Sequence, residues 1–358
     1  MAVSTIAHDE QLRVSIGVDT HLDTHVAVAK DGRGRTIGRT DIPATPAGYR
    51  QVLAWAQGYG EVEGWAIEGT GSYGAGLSRF LRKEGQSVVE VIRPDRSARR
   101  HKGKSDPVDA EAAARALQAE EALAVPKAGD DLVEAIRCLR VARGSAMKAR
   151  TKAINTARAL VVTAPAELRE QLRHLGLDQL IEVCSRLRPG AVTSPLAGTK
   201  FSLRCMARRV KALDDEIALL DGELDPLTEL AAHELRAVLG VGPDVAGQLL
   251  VTAGDNPDRL VSEASFAKLC GVAPLEASSG KTVRHRLNPG GDRKANSALY
   301  TVVISRLRHD PRTQAYAARR TAEGKSKKEI IRCLKRYVAR ELFAILTTIH
   351  DSPAPAAG

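Results

Sequence analysis

VSIGVDTHLDTHVAVAKDGRGRTIGRTDI, residues Val14–Ile42, is the stretch whose reading decides the fold. Val14–Asp19 and His25–Lys30 are short apolar runs separated by a polar turn. Arg35–Ile42 follows a second turn, Asp31-Gly32-Arg33-Gly34. Three strands joined by short turns predict an antiparallel meander. Downstream, Pro46–Gly58 carries Tyr49, Val52, Leu53 and Ala56 at helical spacing. Val62–Ile67 then reads as a strand, Gly74–Glu84 as a helix and Val88–Ile92 as a further strand. The order β-β-β-α-β-α-β is that of the ribonuclease-H-like fold, so an α/β N-terminal domain is expected.

In that order the first and fourth strands are neighbours. Asp19 ends the first, in GVDTHLDTH, and Glu68 follows the fourth, in AIEGTGSYG. Asp106 and Asp109, in KSDPVDAEAAAR, begin a helix. Their i, i+3 spacing puts both on one helix face, and Pro107 at an early helical position suits Asp106 as N-cap. Asp23 and Glu111 compete for the same role but occupy neither a strand end nor a helix start. Each acid alone fits an ordinary turn or cap; the signal lies in the four together. Carboxylates clustered at one sheet edge repel unless a cation binds, which implies Mg²⁺ or Mn²⁺. Two such ions about 3.5–4 Å apart could assist a phosphoryl displacement.

The charge balance points to a polyanion. The chain has 358 residues, a net charge of +10 and 43% apolar residues, enough for two or three domains with sizeable cores. Aromatics make up only 3%, so phosphate contacts rather than base stacking should supply affinity. RPDRSARRHKGKSD concentrates Arg99, Arg100, Lys102 and Lys104 beside the second acid pair and reads as a backbone clamp. Between Glu134 and Glu167 no acid occurs, and the helix predicted over 130–162 presents bases including Arg140 and Arg143, a second phosphate-binding surface. The five cysteines are scattered without a C-x-x-C pair, which argues for a reducing, cytoplasmic setting and against zinc. No window approaches a membrane span, and the N-terminus carries no signal region.

The second half reads as helical. Glu167–Arg188 predicts one helix. In Phe201–Leu230, Leu203, Met206, Val210, Leu213, Ile217, Leu220, Leu224 and Leu227 step by alternating threes and fours, a heptad seam predicting a coiled coil. Pro226 predicts an irregular last turn. Leu235–Gly254 suggests a helix-hairpin-helix, with Gly240–Gly242 able to present backbone N–H groups to a phosphate. GVAPLEASSGKTVRHRLNPGGDRKANSALY, Gly271–Tyr300, follows. It sets Ser278-Ser279 on a glycine, among Lys281, Arg284, Arg286 and Arg293. A small nucleophile ringed by cations suits attack on a phosphate, although a plain basic loop has the same composition. Gly280-Lys281-Thr282 is not a P-loop, because Leu275 stands where its first glycine is needed, and no G-x-S-x-G elbow exists. The expected layout is a flexible 1–12, a ribonuclease-H-like domain over 13–163, a helical coiled-coil region over 164–230, a C-terminal domain over 231–349 and a disordered 350–358.

GVDTHLDTHVAVA, AIEGTGSYG, KSDPVDAEAAAR and LCGVAPLEASSGKTVRHRLNPGGDRKANSALY together resemble the insertion-sequence one-ten transposases, a family also described as bridge-RNA-guided recombinases. The resemblance implies a RuvC-like N-terminal domain with Asp19, Glu68, Asp106 and Asp109 as its DEDD set. It also implies a C-terminal transposase domain whose serine is the nucleophile. Both serines are candidates, with Ser279, beside the glycine, preferred. The implied partners are DNA (element ends and target), a structured guide RNA and further copies of the chain as a dimer or tetramer. The implied chemistry is strand cleavage and exchange by a serine assisted by a metal-binding carboxylate cluster. The alternative is a metal-dependent, resolvase-like endonuclease without a covalent serine intermediate.

Overall fold

The computed structural model describes residues 13–91, 106–129, 131–256, 260–280, 285–286 and 288–351. The chain divides into two compact units: 1–131 with 253–262, and 132–252 with 263–358.

The first unit is built on a mixed sheet. Strands β1 (Arg13–Thr20), β2 (Thr24–Asp31) and β3 (Thr36–Pro43) form the expected antiparallel meander. β4 (Glu61–Ile67) then pairs parallel with β1, and β5 (Val88–Val91) parallel with β4. A two-residue β6 (Leu123–Ala124), too short to announce itself in the sequence, closes the edge antiparallel to β5. The order β3-β2-β1-β4-β5-β6 is the ribonuclease-H-like arrangement. The β2–β3 hairpin turns because Asp31 accepts hydrogen bonds from the Arg33 and Arg35 amides (3.0 and 2.9 Å), with Gly34 at φ +76°.

Helices cover both faces. Val14, Ile16 and Val18 of β1 pack with Trp65 and Ile67 against α1 (Pro46–Gln57) and α2 (Ala75–Lys83), burying Val52, Leu53, Leu77 and Leu81. Thr45 caps α1 by accepting from the Gly48 amide, ahead of Pro46 at a tolerated first-turn position. The alternate residues of β1 face α3 (Asp106–Ala119). Gly17 is decisive there: a Cβ on it would lie 2.0 Å from the Ala110 carbonyl oxygen and 2.3 Å from the Ala114 nitrogen. Only glycine lets α3 lie this close to the sheet. Small residues on the helix, Ala110, Ala113 and Ala114, complete the contact.

The second unit is helical apart from one small hairpin. α4 (Leu132–Val162) and α7 (Pro195–Arg236) pack as an antiparallel pair, with α5 (Ala166–Leu172) and α6 (Leu177–Ser185) against them. The predicted single helix over Glu167–Arg188 is two, divided around Gly176, whose extended backbone (φ −60°, ψ 163°) starts α6. Every position of the heptad seam is buried or half-buried, whereas the residues between its members are largely exposed. Leu203, Val210 and Leu224 are its most deeply buried members. The irregularity expected at Pro226 falls instead at Ala232 (φ −161°, ψ 57°). A turn with Gly240 at φ +90° leads into α8 (Pro243–Ala253). The unit closes with α9 (Glu263–Leu269), α10 (Arg293–His309), α11 (Pro311–Ala322) and α12 (Lys327–Asp351).

Candidate active site

Asp19 is the last inward residue of β1 before the chain turns at His21. Glu68 follows β4 directly. The two strand ends are tied: the Glu68 amide donates to the Val18 carbonyl (3.1 Å), and the Thr20 hydroxyl donates to the Glu68 carbonyl (2.8 Å). Asp106 and Asp109 occupy the first turn of α3, which Gly17 admits against the same strand. Asp109 is buried, and the Asp106 side chain is half exposed. Burial pushes the Asp19 carboxyl up to about 6; His21 opposes the rise, while Glu68, Asp106 and Asp109 reinforce it. Glu68, Asp106 and Asp109 therefore all act on the Asp19 carboxyl at this sheet edge.

The sequence reading overlooked His21. Its Nδ1 is 3.8 Å from Asp19 Oδ2, and its Nε2 is 3.7 Å from Asp106 Oδ1. The signal was available: residues i and i+2 leave a strand on the same side, and His21 stands two beyond Asp19. Glu111, by contrast, is drawn away from the cluster. It pairs with Lys30 (3.3 Å), a lysine only 2% exposed, and with Arg39 and Arg115. Asp23 is exposed in the turn. The donor set fits a hard divalent metal, since Asp19, Asp106 and His21 offer ligand atoms within 4.8 Å of one another, Glu68 and Asp109 add their charge to Asp19, and the buried Asp19 carboxylate takes no hydrogen bond among the described residues. Such an ion would be held by Asp19 and Asp106 with Glu68 and Asp109 beside them.

The serines lie in the second unit. β7 (Leu275–Glu276) and β8 (His285–Arg286) form an antiparallel hairpin, and Ser278 and Ser279 are exposed on it, followed by Gly280 at φ +58°. The hairpin's base is built tightly. A Cβ on Gly291 would lie 2.3 Å from the Gly271 nitrogen, and the Asn296 amide donates to the Cys270 and Gly271 carbonyls (3.0 and 3.1 Å). Asp292 caps α10: its carboxylate accepts from the Lys294 and Ala295 amides and from the Thr252 hydroxyl.

Of the basic residues singled out, Arg286 and Arg293 are exposed. Arg99, Arg100, Lys102, Lys104, Lys281 and Arg284 lie outside the described residues. Arg140 and Arg143 have an intrachain use that the sequence reading missed. Arg140 pairs with Asp244 (2.7 Å) and donates to Gln248 (2.9 Å), and Arg143 pairs with Asp221 (2.5 Å). Their acids come from segments 78–104 residues later, so the one-sided charge of α4 is balanced by its neighbours. Lys148, Lys152 and Arg158 of the same helix stay exposed. At Gly240, the predicted phosphate-binding turn packs on α10, where Arg306 donates to the Leu239 carbonyl (3.0 Å).

Two family models match the chain. Residues 16–164 match a DEDD-type transposase model of the IS110 elements, and residues 232–318 match the transposases of the IS116/IS110/IS902 family. The first match contains the four acids and the second contains the serine hairpin. This chain belongs to the IS110 family of transposases. It is also 24% identical to an insertion element IS900 uncharacterized 42 kDa protein of Mycobacterium paratuberculosis, over 80% of this chain and 83% of the relative. As a transposase of this family it acts on DNA, and its N-terminal domain has a ribonuclease-H-like fold. The first match ends at residue 164, so α4 belongs to it by sequence yet packs along α7 in the second unit. Among the described residues, no helix is long and apolar enough to cross a membrane.

Proposed function

We propose that this transposase cuts and exchanges DNA strands with Ser279 as nucleophile, assisted by a divalent ion at Asp19, Glu68, Asp106 and Asp109. The observation that carries the reading is the field of three acids, Glu68, Asp106 and Asp109, around the buried Asp19 carboxylate. When bound, the metal supplies charge neutralisation at a scissile phosphate. The acids hold it there, and burial keeps Asp19 from being satisfied by water alone. Ser279 forms an Oγ–phosphorus bond as the bond to the neighbouring nucleotide's oxygen breaks, and the hydroxyl proton ends on that departing oxygen. Exposure on a glycine-ended hairpin supports Ser279 in this role. Arg286 and Arg293, with Lys281 and Arg284 of the same stretch, hold neighbouring phosphates. Lys148 and Lys152 offer further phosphate contacts, and so do Arg99, Arg100, Lys102 and Lys104. Arg140 and Arg143 contribute by holding α4 in place. A structured guide RNA choosing donor and target sites, and assembly as a dimer or tetramer, complete the proposal. The net charge of +10 accommodates both nucleic acids.

The test is a suicide DNA substrate that traps a covalent intermediate. Wild type forms a protein–DNA adduct, and Ser279→Ala forms none while still binding the DNA. An adduct surviving in both Ser279→Ala and Ser278→Ala overturns the serine mechanism and leaves the metal-only endonuclease. A discrete RNA recovered with the purified protein supports guidance, and full activity of RNA-free protein refutes it.

A further inference from the structure

Resting on the carboxylate-centre reading above, we propose that His21 is itself a ligand of that centre and biases it toward a first-row transition ion such as Mn²⁺ over Mg²⁺. His21 follows β1 on a turn whose backbone is closed by its own amide donating to the Thr24 carbonyl (3.1 Å). One nitrogen of its ring and one oxygen each of Asp19 and Asp106 lie within 4.8 Å of one another. The closest separations, 3.7 and 3.8 Å, are too long for hydrogen bonds. They run from opposite nitrogens of the ring, Nδ1 toward Asp19 and Nε2 toward Asp106, so one ion would take only one of them, and the grouping of three donors within 4.8 Å carries the assignment.

Two further observations point to the same place. The Asp19 side chain is 10% exposed, accepts no hydrogen bond from the described residues and has the His21 ring 3.8 Å away. The His21 ring is half exposed, which leaves an entry path for an ion and for a phosphate. Glu111, the one other acid of α3's first two turns, is occupied by Lys30, Arg39 and Arg115. It does not compete for the position His21 fills. Chemically the histidine changes the ion the site prefers. Oxygen-only sites suit Mg²⁺, whereas a neutral imidazole nitrogen adds affinity for transition ions without adding charge.

The experiment is calorimetric titration of the full-length protein with MnCl₂ and with MgCl₂, paired with pulsed electron paramagnetic resonance of the Mn²⁺ complex. The proteins are wild type, His21→Ala, His21→Asn and Asp19→Asn. Wild type is expected to bind Mn²⁺ more tightly than Mg²⁺ and to show modulation from a directly bound nitrogen. His21→Ala and His21→Asn should lose that modulation and about tenfold in Mn²⁺ affinity, with Mg²⁺ affinity changed by about twofold or less. Asn at position 21 restoring wild-type behaviour would mean a hydrogen-bonding role and overturn the proposal. So would absent nitrogen modulation in wild type, or its persistence in His21→Ala. Asp19→Asn separates the two levels. If it abolishes binding of both ions while His21→Ala changes nothing, the carboxylate centre stands and the histidine proposal falls. If wild type and Asp19→Asn bind both ions alike, the centre itself is wrong.

Discussion

At the scale of single residues, Asp19 carries the most consequential environment in the molecule. Its carboxyl, normally near 3.8, is raised to about 6, first by burial and then by three neighbouring acids. A carboxyl that holds its proton more tightly when folded favours the folded state below its unfolded value. That contribution is lost as pH rises through about 6. Without divalent metal, wild type should therefore lose stability relative to Asp19→Asn between about pH 4 and 6, by up to roughly 3 kcal/mol. Saturating metal should abolish the difference, because the cation favours the ionised form. Urea melts of both proteins across that range, with and without Mn²⁺, measure it; a flat difference without metal would refute the assignment. The four acids were legible in the sequence because each stands at a position defined by its own element. His21 was legible only in part: its place two residues beyond Asp19 is local, but its other neighbour, Asp106, is 85 residues away, and only the packing of α3 on β1 brings the two together.

At the scale of elements, the placement of α3 governs the site, since it delivers two of the four acids. Two features hold it. Gly17 removes the side chain that would push the helix off the strand. Lys30 on β2, nearly inaccessible, meets Glu111 one turn beyond Asp106 and also donates to the Gly34 carbonyl (2.8 Å) and the Thr36 hydroxyl (3.2 Å). Removing one partner of a buried pair leaves the other charge stranded, at a cost of roughly 3–5 kcal/mol. Glu111→Ala should lower stability by about that much. Lys30→Met combined with Glu111→Leu should recover most of it, because volume is kept and no charge is stranded. Thermal melts of the single and double variants check this; equal losses in both would place the stabilisation elsewhere. The strand and helix periodicities were readable for β1–β5 and α1–α3. The division of 167–188 into two helices was obscured because its apolar spacing continues across the break at Gly176.

At the scale of the whole molecule, sequence order and packing part company. A short segment after α8, residues 253–262, clusters with the N-terminal unit rather than with its neighbours in sequence. Asn256, 6% exposed, accepts from the Ala128 amide (3.2 Å) and donates to the Pro126 carbonyl (3.2 Å). Asp255 accepts from the Gly129 amide (2.6 Å). The segment thus satisfies backbone groups of 126–129 that their own neighbours leave open. Asn256→Ala should cost about 1–3 kcal/mol and speed hydrogen exchange at Ala128 while leaving the β1–β4 sheet protected. Unchanged exchange at Ala128 would deny the segment this role. In the second unit, Arg140, Arg143 and Arg150 pair with Asp244, Asp221 and Asp214, aligning α4 antiparallel to α7 and its successor. A basic helix in the sequence is a half-neutralised one in the fold.

Local rules were enough for part of this protein. Short apolar runs separated by turns in Val14–Ile42 dictate a meander, heptad spacing in Leu203–Leu227 dictates a packed seam, and acids at a strand end, after a strand and at a helix start suggest a cluster. These depend on residues close in sequence, whose geometry follows from the period of the element they sit on. The tertiary structure alone decided which charges are free and which are spent. It turned Glu111 toward Lys30, Arg140 and Arg143 toward distant aspartates, Asp292 into a helix cap and His21 toward Asp19 and Asp106. The reason is physical. Electrostatic partners are chosen by distance in space, and the approach of elements remote in the chain is set by packing at a few small residues such as Gly17 and Gly291.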